Sequence, residues 1–290
     1  LEIIRTVEWM KQVSRQARLE GRSSGFVPTM GALHEGHMSL VRAAMADCRP
    51  VIASIFVNPA QFGPGEDLQK YPRTLESDRE KLGASGVDYL FVPELEEMYP
   101  LGFRTWVNVE GLSERLEGRV RPGHFRGVTT VVLKLLEIVQ PQKAFFGRKD
   151  AQQALLIRQM ARDFHLDTEI VVRPIVREPD GLAMSSRNAY LQPDERRAAS
   201  VLYRALDGAR NRIARGERDA LRLTAAMREV LRAERLAEIE YVELVDAETL
   251  EQVTRLRGVC SALLAVRIGA TRLIDNLLIE ERDGAFEVSL

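Results

Sequence analysis

The 290 residues, 32.7 kDa in mass, suit one large domain or two smaller ones. Lys and Arg total 41 against 42 Asp and Glu, a formal charge of −1, with none of the basic excess of a nucleic-acid binder. Two cysteines, Cys48 and Cys260, cannot staple a chain of this size and fit no zinc spacing; no apolar run approaches the roughly 20 residues of a membrane span; and Leu1–Lys11, broken by Glu2, Arg5 and Glu8, lacks a signal-peptide core. These features point to the cytoplasm, with neither nucleic acid nor membrane as partner.

The first 175 or so residues alternate strand-like and helix-like segments. Phe26 opens a short apolar strand that ends at Pro28, and the stripe Leu40, Val41, Ala44, Met45 begins a helix beyond it. Val51–Val57, Val87–Val92 and Lys143–Phe146 are apolar runs of strand length. Val128, Val131, Val132, Leu135, Leu136 and Val139 keep helical spacing until Pro141, and Ala151–Phe164 is a second amphipathic helix. Ile170–Val172 and Ile175–Val176 read as short strands around Pro174. This alternation predicts a Rossmann-like parallel α/β sheet over residues 1–176, whose ligands bind beyond the carboxyl ends of the strands.

The pattern then changes. A stripe from Ala198 to Ile213 and a second helix from Asp219 to about Leu236 precede strands at Ile239–Val245, Ser261–Ile268 and Leu273–Ile279. Two helices followed by three strands predict a smaller α+β domain over residues 177–290, expected to serve as a lid.

The strongest local signal is Phe26–Leu40, where His34-Glu35-Gly36-His37 stands between strand and helix. Unpaired backbone N–H groups at a helix start favour phosphate, and two imidazoles there can donate to charge growing on an α-phosphate. The spacing alone leaves open packed or capping histidines. It is neither H-E-x-x-H nor a P-loop. Gly181–Asn188 brings Ser185, Ser186 and Arg187 together, as a polyphosphate clamp or a polar loop. In Phe146–Gln153, Lys149 suits phosphate and Asp150 a ribose hydroxyl or a helix start. Asn58 and Gln61 suit a polar substrate or a turn. Leu116–Gly127, carrying His124, reads as a mobile anion-attracting loop or a plain surface loop.

Together these segments resemble the pantoate–β-alanine ligase (pantothenate synthetase) family. The resemblance is carried by PTMGALHEGH at 28–37, SIFVNPAQF at 54–62, YPRTLESD at 71–78, RPGHFRGV at 121–128, FFGRKDAQQ at 145–153, DGLAMSSRN at 180–188 and RLIDN at 272–276. It covers nearly the whole chain. H-x-G-H alone is shared with other nucleotidyltransferases and class I aminoacyl-tRNA synthetases, whereas its combination with NPxQF and SSRN is more specific.

The resemblance implies ATP-dependent condensation of pantoate with β-alanine through a pantoyl adenylate, with release of pyrophosphate and AMP. It implies Mg²⁺ accompanying ATP, and a homodimer. Carried over, Met30, Gly31, Ala32, Leu33, His34, Glu35, Gly36 and His37 line the ATP site, with His37 the proton donor. Gly147, Arg148, Lys149 and Asp150 hold nucleotide. Val176, Met184, Ser185, Ser186 and Arg187 complete the ATP site. His34, His37 and Lys149 are the catalytic candidates. Gln61 and Gln153 hold pantoate, and Gln61 also borders β-alanine. Asn58 and Tyr71 rank second, and Asp78 is a candidate metal ligand in an otherwise unassigned set. Arg148 and Ala151 depart from the family pattern, where an acid and a ring are usual. The alternatives are a nucleotidyltransferase acting on another acceptor and a nucleotide-binding homologue with impaired catalysis.

Overall fold

The computed structural model describes residues 1–290, which form two units: Leu1–Arg148 with Gln152–Arg173, and Lys149–Ala151 with Pro174–Leu290.

In the first unit, β1 (Glu2–Ile4), α1 (Val7–Leu19), β2 (Gly25–Thr29), α2 (Glu35–Asp47), β3 (Val51–Ile55), α3 (Leu75–Ala84), β4 (Tyr89–Phe91) and the short α4 (Leu95–Met98) come first. Then follow α5 (Glu117–Val120), α6 (His124–Val139), β5 (Lys143–Gly147), α7 (Ala151–Asp163) and β6 (Glu169–Arg173). The six strands make one parallel sheet in the order β1-β4-β3-β2-β5-β6. Successive side chains of a strand point to opposite faces. Phe26, Ile52, Phe91 and Phe146 join a core with α1, α6 and α7 residues. Their neighbours Val27, Ala53, Leu90 and Phe145 join a second core with α2 and α3 residues. Burial on both faces explains why the strands read as continuous apolar runs rather than alternating ones. Each fully buried Phe or Ile contributes about 1.5–3 kcal/mol by the transfer scale.

The direction of strand addition reverses between β2 and β5, because β3 and β4 extend one way and β6 the other. A ligand crevice is expected at such a switch point, outside the carboxyl ends of the strands. The turns after β2 and β3 emerge beside it, carrying Met30–His34 and Asn58–Gln61.

In the second unit, α8 (Pro193–Ala199), α9 (Val201–Ala214) and α10 (Ala220–Arg232) precede β7 (Ala237–Asp246), β8 (Val259–Ile268), β9 (Thr271–Arg282) and β10 (Ala285–Ser289). The strands form an antiparallel sheet in the order β10-β9-β8-β7. Cys260, Ala262, Leu264, Val266 and Ile268, at period two, pack with Leu202, Leu206, Leu223 and Met227 of the helices. The mixed fold class agrees with the sequence reading.

Several details differ. Pro174 ends β6, so Ile175–Val176 is not a strand. The stripe from Ala198 to Ile213 is two helices, broken at Ser200. The next helix stops at Arg232 rather than about Leu236, and β10 adds a fourth strand. Leu116–Gly127 is not a plain surface loop: it holds α5 and the start of α6, with Leu116, Glu117 and Gly118 buried.

Candidate functional site

The turn after β2 is built by hydrogen bonds reaching across the sheet. Thr29 Oγ1 donates to the Ser54 carbonyl at 2.7 Å and accepts the Gly31 N–H at 3.1 Å. Gly31 lies at φ +85°, where a side chain is strained, and a Cβ there would crowd Ile55 at 3.1 Å and the Asp78 carboxylate at 3.2 Å. The Asp78 side chain, fully buried, accepts from the Ala32 and Leu33 N–H groups at 2.8 Å each and from Thr74 Oγ1 at 3.0 Å. Lys81 Nζ donates to the Leu33 carbonyl at 2.7 Å. Asp78 therefore shapes the backbone ahead of His34. Its oxygens are committed to three donors, which corrects its reading as a metal ligand. No group of three or more His, Cys, Asp or Glu gathers to hold a metal ion, and both cysteines are free and buried.

His34 caps α2. Its Nδ1 accepts the Gly36 N–H at 3.1 Å, and His37 Nδ1 accepts the His34 N–H at 3.3 Å. The capping reading of this pair is thus correct, and it does not compete with chemistry. With Nδ1 of each ring accepting, the neutral imidazole carries its proton on Nε2. The rings lie 4.1 Å apart and tilted by 41°. The rings take the His34 and Gly36 N–H groups at this helix start.

Asn58 and Gln61 follow β3 around a single 3₁₀ turn, Pro59–Gln61, which Asn58 caps by accepting the Ala60 N–H. Gln61 Nε2 lies 3.1 Å from Met30 Sδ, so the pantoate candidate and the ATP-loop candidate are neighbours. Tyr71 is buried edge-on to Phe62. The main chain of Gln61 is held from α6: His124 Nδ1 lies 2.8 Å from its carbonyl and Arg121 Nη1 lies 3.0 Å from His124 Nε2. Arg121 is fixed in turn on Glu66, at 2.7 and 2.6 Å. The guanidinium must donate, so Nε2 accepts and Nδ1–H donates to Gln61. The residue left without a role in the sequence is a half-buried brace for the Gln61 turn.

Burial, joined by the Arg121 charge, lowers the His124 pKa from 6.5 to about 4, against the weaker opposing pull of the Gln61 hydrogen bond, Glu117 and Glu66. The unfolded chain therefore takes up a proton near pH 6.5 that the folded protein refuses until about pH 4. Between those values stability falls with falling pH, by up to about 3 kcal/mol in total. Urea midpoints measured from pH 7 to pH 4 are expected to show this slope, and His124→Gln to flatten it; an equal slope in the variant would remove His124 as its source.

Around β5, Gly147 ends the strand, Arg148 is half-buried, and Lys149–Asp150 complete a 3₁₀ turn before α7. Lys149 Nζ lies 3.6 Å from Asp150 Oδ1. Gln153 is half-buried on the first turn of α7. Its buried neighbour Gln152 anchors that turn, accepting from Glu117 N at 3.1 Å and donating to the Leu112 and Arg115 carbonyls at 2.9 Å each.

In the second unit the candidates Val176 and Met184 are brought together, Met184 N donating to the Val176 carbonyl at 3.0 Å. The turn between them is fixed by Arg177, which pairs with both oxygens of the buried Asp275 at 2.7 and 3.0 Å. Ser185 Oγ accepts the Arg187 N–H at 3.2 Å, opening the Ser186–Tyr190 turn. Asn276, buried beside Asp275, donates to the Lys149 carbonyl at 2.9 Å. The RLIDN segment is thereby the support for both the Val176–Met184 turn and the Lys149 backbone, a function that its sequence position does not suggest. His165 sits at φ +51° just past α7, with its backbone N–H closing the helix end.

Comparison with known proteins matches residues 2–278 to the family model described as pantoate-beta-alanine ligase. A pantothenate synthetase from Acidobacterium capsulatum is 58% identical over 92% of this chain and 89% of its own length. One from Pelotomaculum thermopropionicum is 53% identical over 96% and 98%. Among solved structures, pantothenate synthetase from Thermus thermophilus superposes with a TM-score of 0.90 at 48% identity, covering 95% of this chain and 98% of that one. A pantoate-beta-alanine ligase from Francisella tularensis, complexed with beta-gamma ATP and beta-alanine, gives 0.77 at 36% identity, covering 95% and 97%.

Proposed function

The chain belongs to the pantoate–β-alanine ligase family and joins pantoate to β-alanine at the expense of ATP, and we propose that the turns at the switch point of its parallel sheet carry the first step. In that step a pantoate carboxylate oxygen attacks the α-phosphorus and pyrophosphate leaves. In the second, the β-alanine amine attacks the acyl carbon, the bond to AMP breaks and the amine loses a proton. The family assignment removes the reading in which a phosphorylated acceptor is the substrate.

The observation that carries the proposal is the reciprocal holding of His34 and His37 through Nδ1. It sets both Nε2–H groups as donors to charge that grows on the α-phosphate and the leaving oxygen, where fixed donors act without reorganisation. His37 is the proton donor in this reading. Met30–Gly36 form the rest of the loop around the nucleotide, with Gly147, Arg148, Lys149 and Asp150 on phosphate and ribose. Val176, Met184, Ser185, Ser186 and Arg187 are the further ATP candidates. Gln61 and Gln153 hold pantoate, and Gln61 borders β-alanine. The first unit is read as the part that binds nucleotide and pantoate.

Mg²⁺ fits this set only as an ion carried by the phosphates, since Asp78 is committed to backbone and Thr74 donors and no side-chain cage exists. It would offset phosphate charge there. A homodimer in the cytoplasm completes the reading. Sedimentation checks the first, and the two free thiols suit a reducing compartment.

Pyrophosphate release with β-alanine and pantoate omitted in turn tests the order of steps. ATP with pantoate alone is expected to give a burst of about one equivalent per site, and ATP with β-alanine alone none. A burst that requires β-alanine would overturn the adenylate.

A further inference from the structure

Asn58 is almost wholly buried, with 1% of its surface exposed, and its amide has no capacity left for substrate. Its Oδ1 accepts the Ala60 N–H at 3.3 Å and the Tyr99 hydroxyl at 2.9 Å. Its Nδ2 donates to the Gly127 carbonyl at 3.1 Å and to Gln61 Oε1 at 3.0 Å. A primary amide offers two donors and two acceptor sites, and all four are used. The orientation of this amide is dictated by the backbone: Ala60 N–H can only donate, and the Gly127 carbonyl can only accept. The consequence passes to Gln61. Facing an N–H donor, its amide must turn Oε1 inward, which leaves Nε2 outward with only the weak thioether acceptor Met30 Sδ at 3.1 Å.

We propose that Tyr99 is a positioning residue for this ligase: within the orientation that Ala60 and Gly127 set, it holds Asn58 Oδ1 in place and so fixes where the Asn58 amide meets Gln61, and the pocket meets an N–H₂ donor rather than a carbonyl oxygen. The inference rests on the reading of Gln61 as a pantoate ligand and deepens it. A group fixed as a donor selects substrate oxygens that accept, a carboxylate or a hydroxyl lone pair, and disfavours an acid whose matching position presents only a donor. Leaving the buried partner unpaired is what makes such discrimination effective. Tyr99 suits the task. It lies between Phe56, Phe103 and Trp106, with ring centroids at 6.3, 5.1 and 6.0 Å, so the ring cannot swing away from Asn58. Burial pushes its hydroxyl up to about 12, so it keeps its proton at any working pH.

The experiment is a double-mutant cycle read by steady-state pyrophosphate release, with Tyr99→Phe, Gln61→Ala and the pair. Tyr99→Phe is expected to raise KM for pantoate about 3- to 10-fold, the worth of one ordinary hydrogen bond, while KM for ATP stays within twofold. In the Gln61→Ala background the same change is expected to add nothing. An equal increment in both backgrounds would mean a merely structural role and overturns the proposal. So does an unchanged pantoate KM in Tyr99→Phe when Gln61→Ala raises it. If Gln61→Ala itself leaves pantoate KM unchanged, the assignment of Gln61 falls, and the relay with it. Should Tyr99→Phe not fold, Asn58→Asp replaces the donor facing Gln61 with an acceptor. A rise in pantoate KM that vanishes with Gln61→Ala supports the relay, and no rise overturns it.

Discussion

Replacing His37 with asparagine is expected to slow pyrophosphate release from ATP and pantoate by about 10²–10³-fold, the usual contribution of one positioned donor, while leaving the melting temperature nearly unchanged. The choice of substituent follows from the two jobs of the ring. Nδ1 accepts the His34 N–H at 3.3 Å and so holds the start of α2. Nε2 carries the proton proposed for the phosphate. Asparagine places a carbonyl oxygen where Nδ1 stood and keeps the cap, but has nothing at the Nε2 position. Glutamine does the reverse: it reaches the outer position with an N–H and gives up the inner acceptor. The pair therefore separates chemistry from folding. His37→Gln is expected to keep more activity than His37→Asn, at a cost in stability of about 1 kcal/mol for the lost cap. His37→Asn at the rate of the unaltered protein would remove His37 from the mechanism. Stopped-flow pyrophosphate release and thermal melts on the two variants decide the matter.

What the sequence disclosed about this site was what lies close together along the chain. The strand–turn–helix around His34 is legible because Phe26, Val27 and the Leu40–Met45 stripe keep their periodicities within 20 residues. The turn after β3 and the one after β5 were equally local. The elements missed are those whose apolar signal is weak. In α3 only Asp78 and Leu82 are buried, so LESDREKLGA shows no stripe. In α1 the exposed Trp9 blurs the buried Met10, Ser14 and Ala17. The strand β1 has three residues and β10 alternates on a half-exposed edge. Leu116–Gly127 reads as a loop because Gly, Pro and Arg dominate it. It is ordered by contacts no local window contains, Arg121 to Glu66 and His124 to Gln61, 55 and 63 residues away. The same holds for Asp275 and Asn276: a polar pair inside an apolar strand is visible in RLIDN, but its partners Arg177 and Lys149 lie 98 and 127 residues upstream. Buried polar residues far from the motif they support are the class that periodicity cannot reach, because their placement depends on partners rather than on pattern.

Asp78 is the member of that class with the largest expected consequence. Alanine at this position takes an acceptor at 2.8 Å from the half-buried Ala32 N–H and from the buried Leu33 N–H, the second then facing a cavity inside the protein. An orphaned buried donor costs about 1–3 kcal/mol, so Asp78→Ala is expected to lower the unfolding free energy by about 3–5 kcal/mol. The cost is not only global. Ala32 sits at φ +52°, an uncommon backbone state for a residue with a side chain, and the carboxylate that accepts its N–H helps to hold it there. Released, the turn relaxes, and His34 and the cap it shares with His37 shift with it. Asp78→Asn separates the two effects. It keeps one oxygen for one N–H but turns an NH₂ toward the other, so part of the stability returns while the turn stays wrong. Chemical denaturation is expected to rank the unaltered protein above Asp78→Asn and that above Asp78→Ala. The rate of pyrophosphate release is expected to be low in both variants under conditions where each is folded. Equal rates for Asp78→Asn and the unaltered protein would show that the turn before His34 does not depend on this carboxylate.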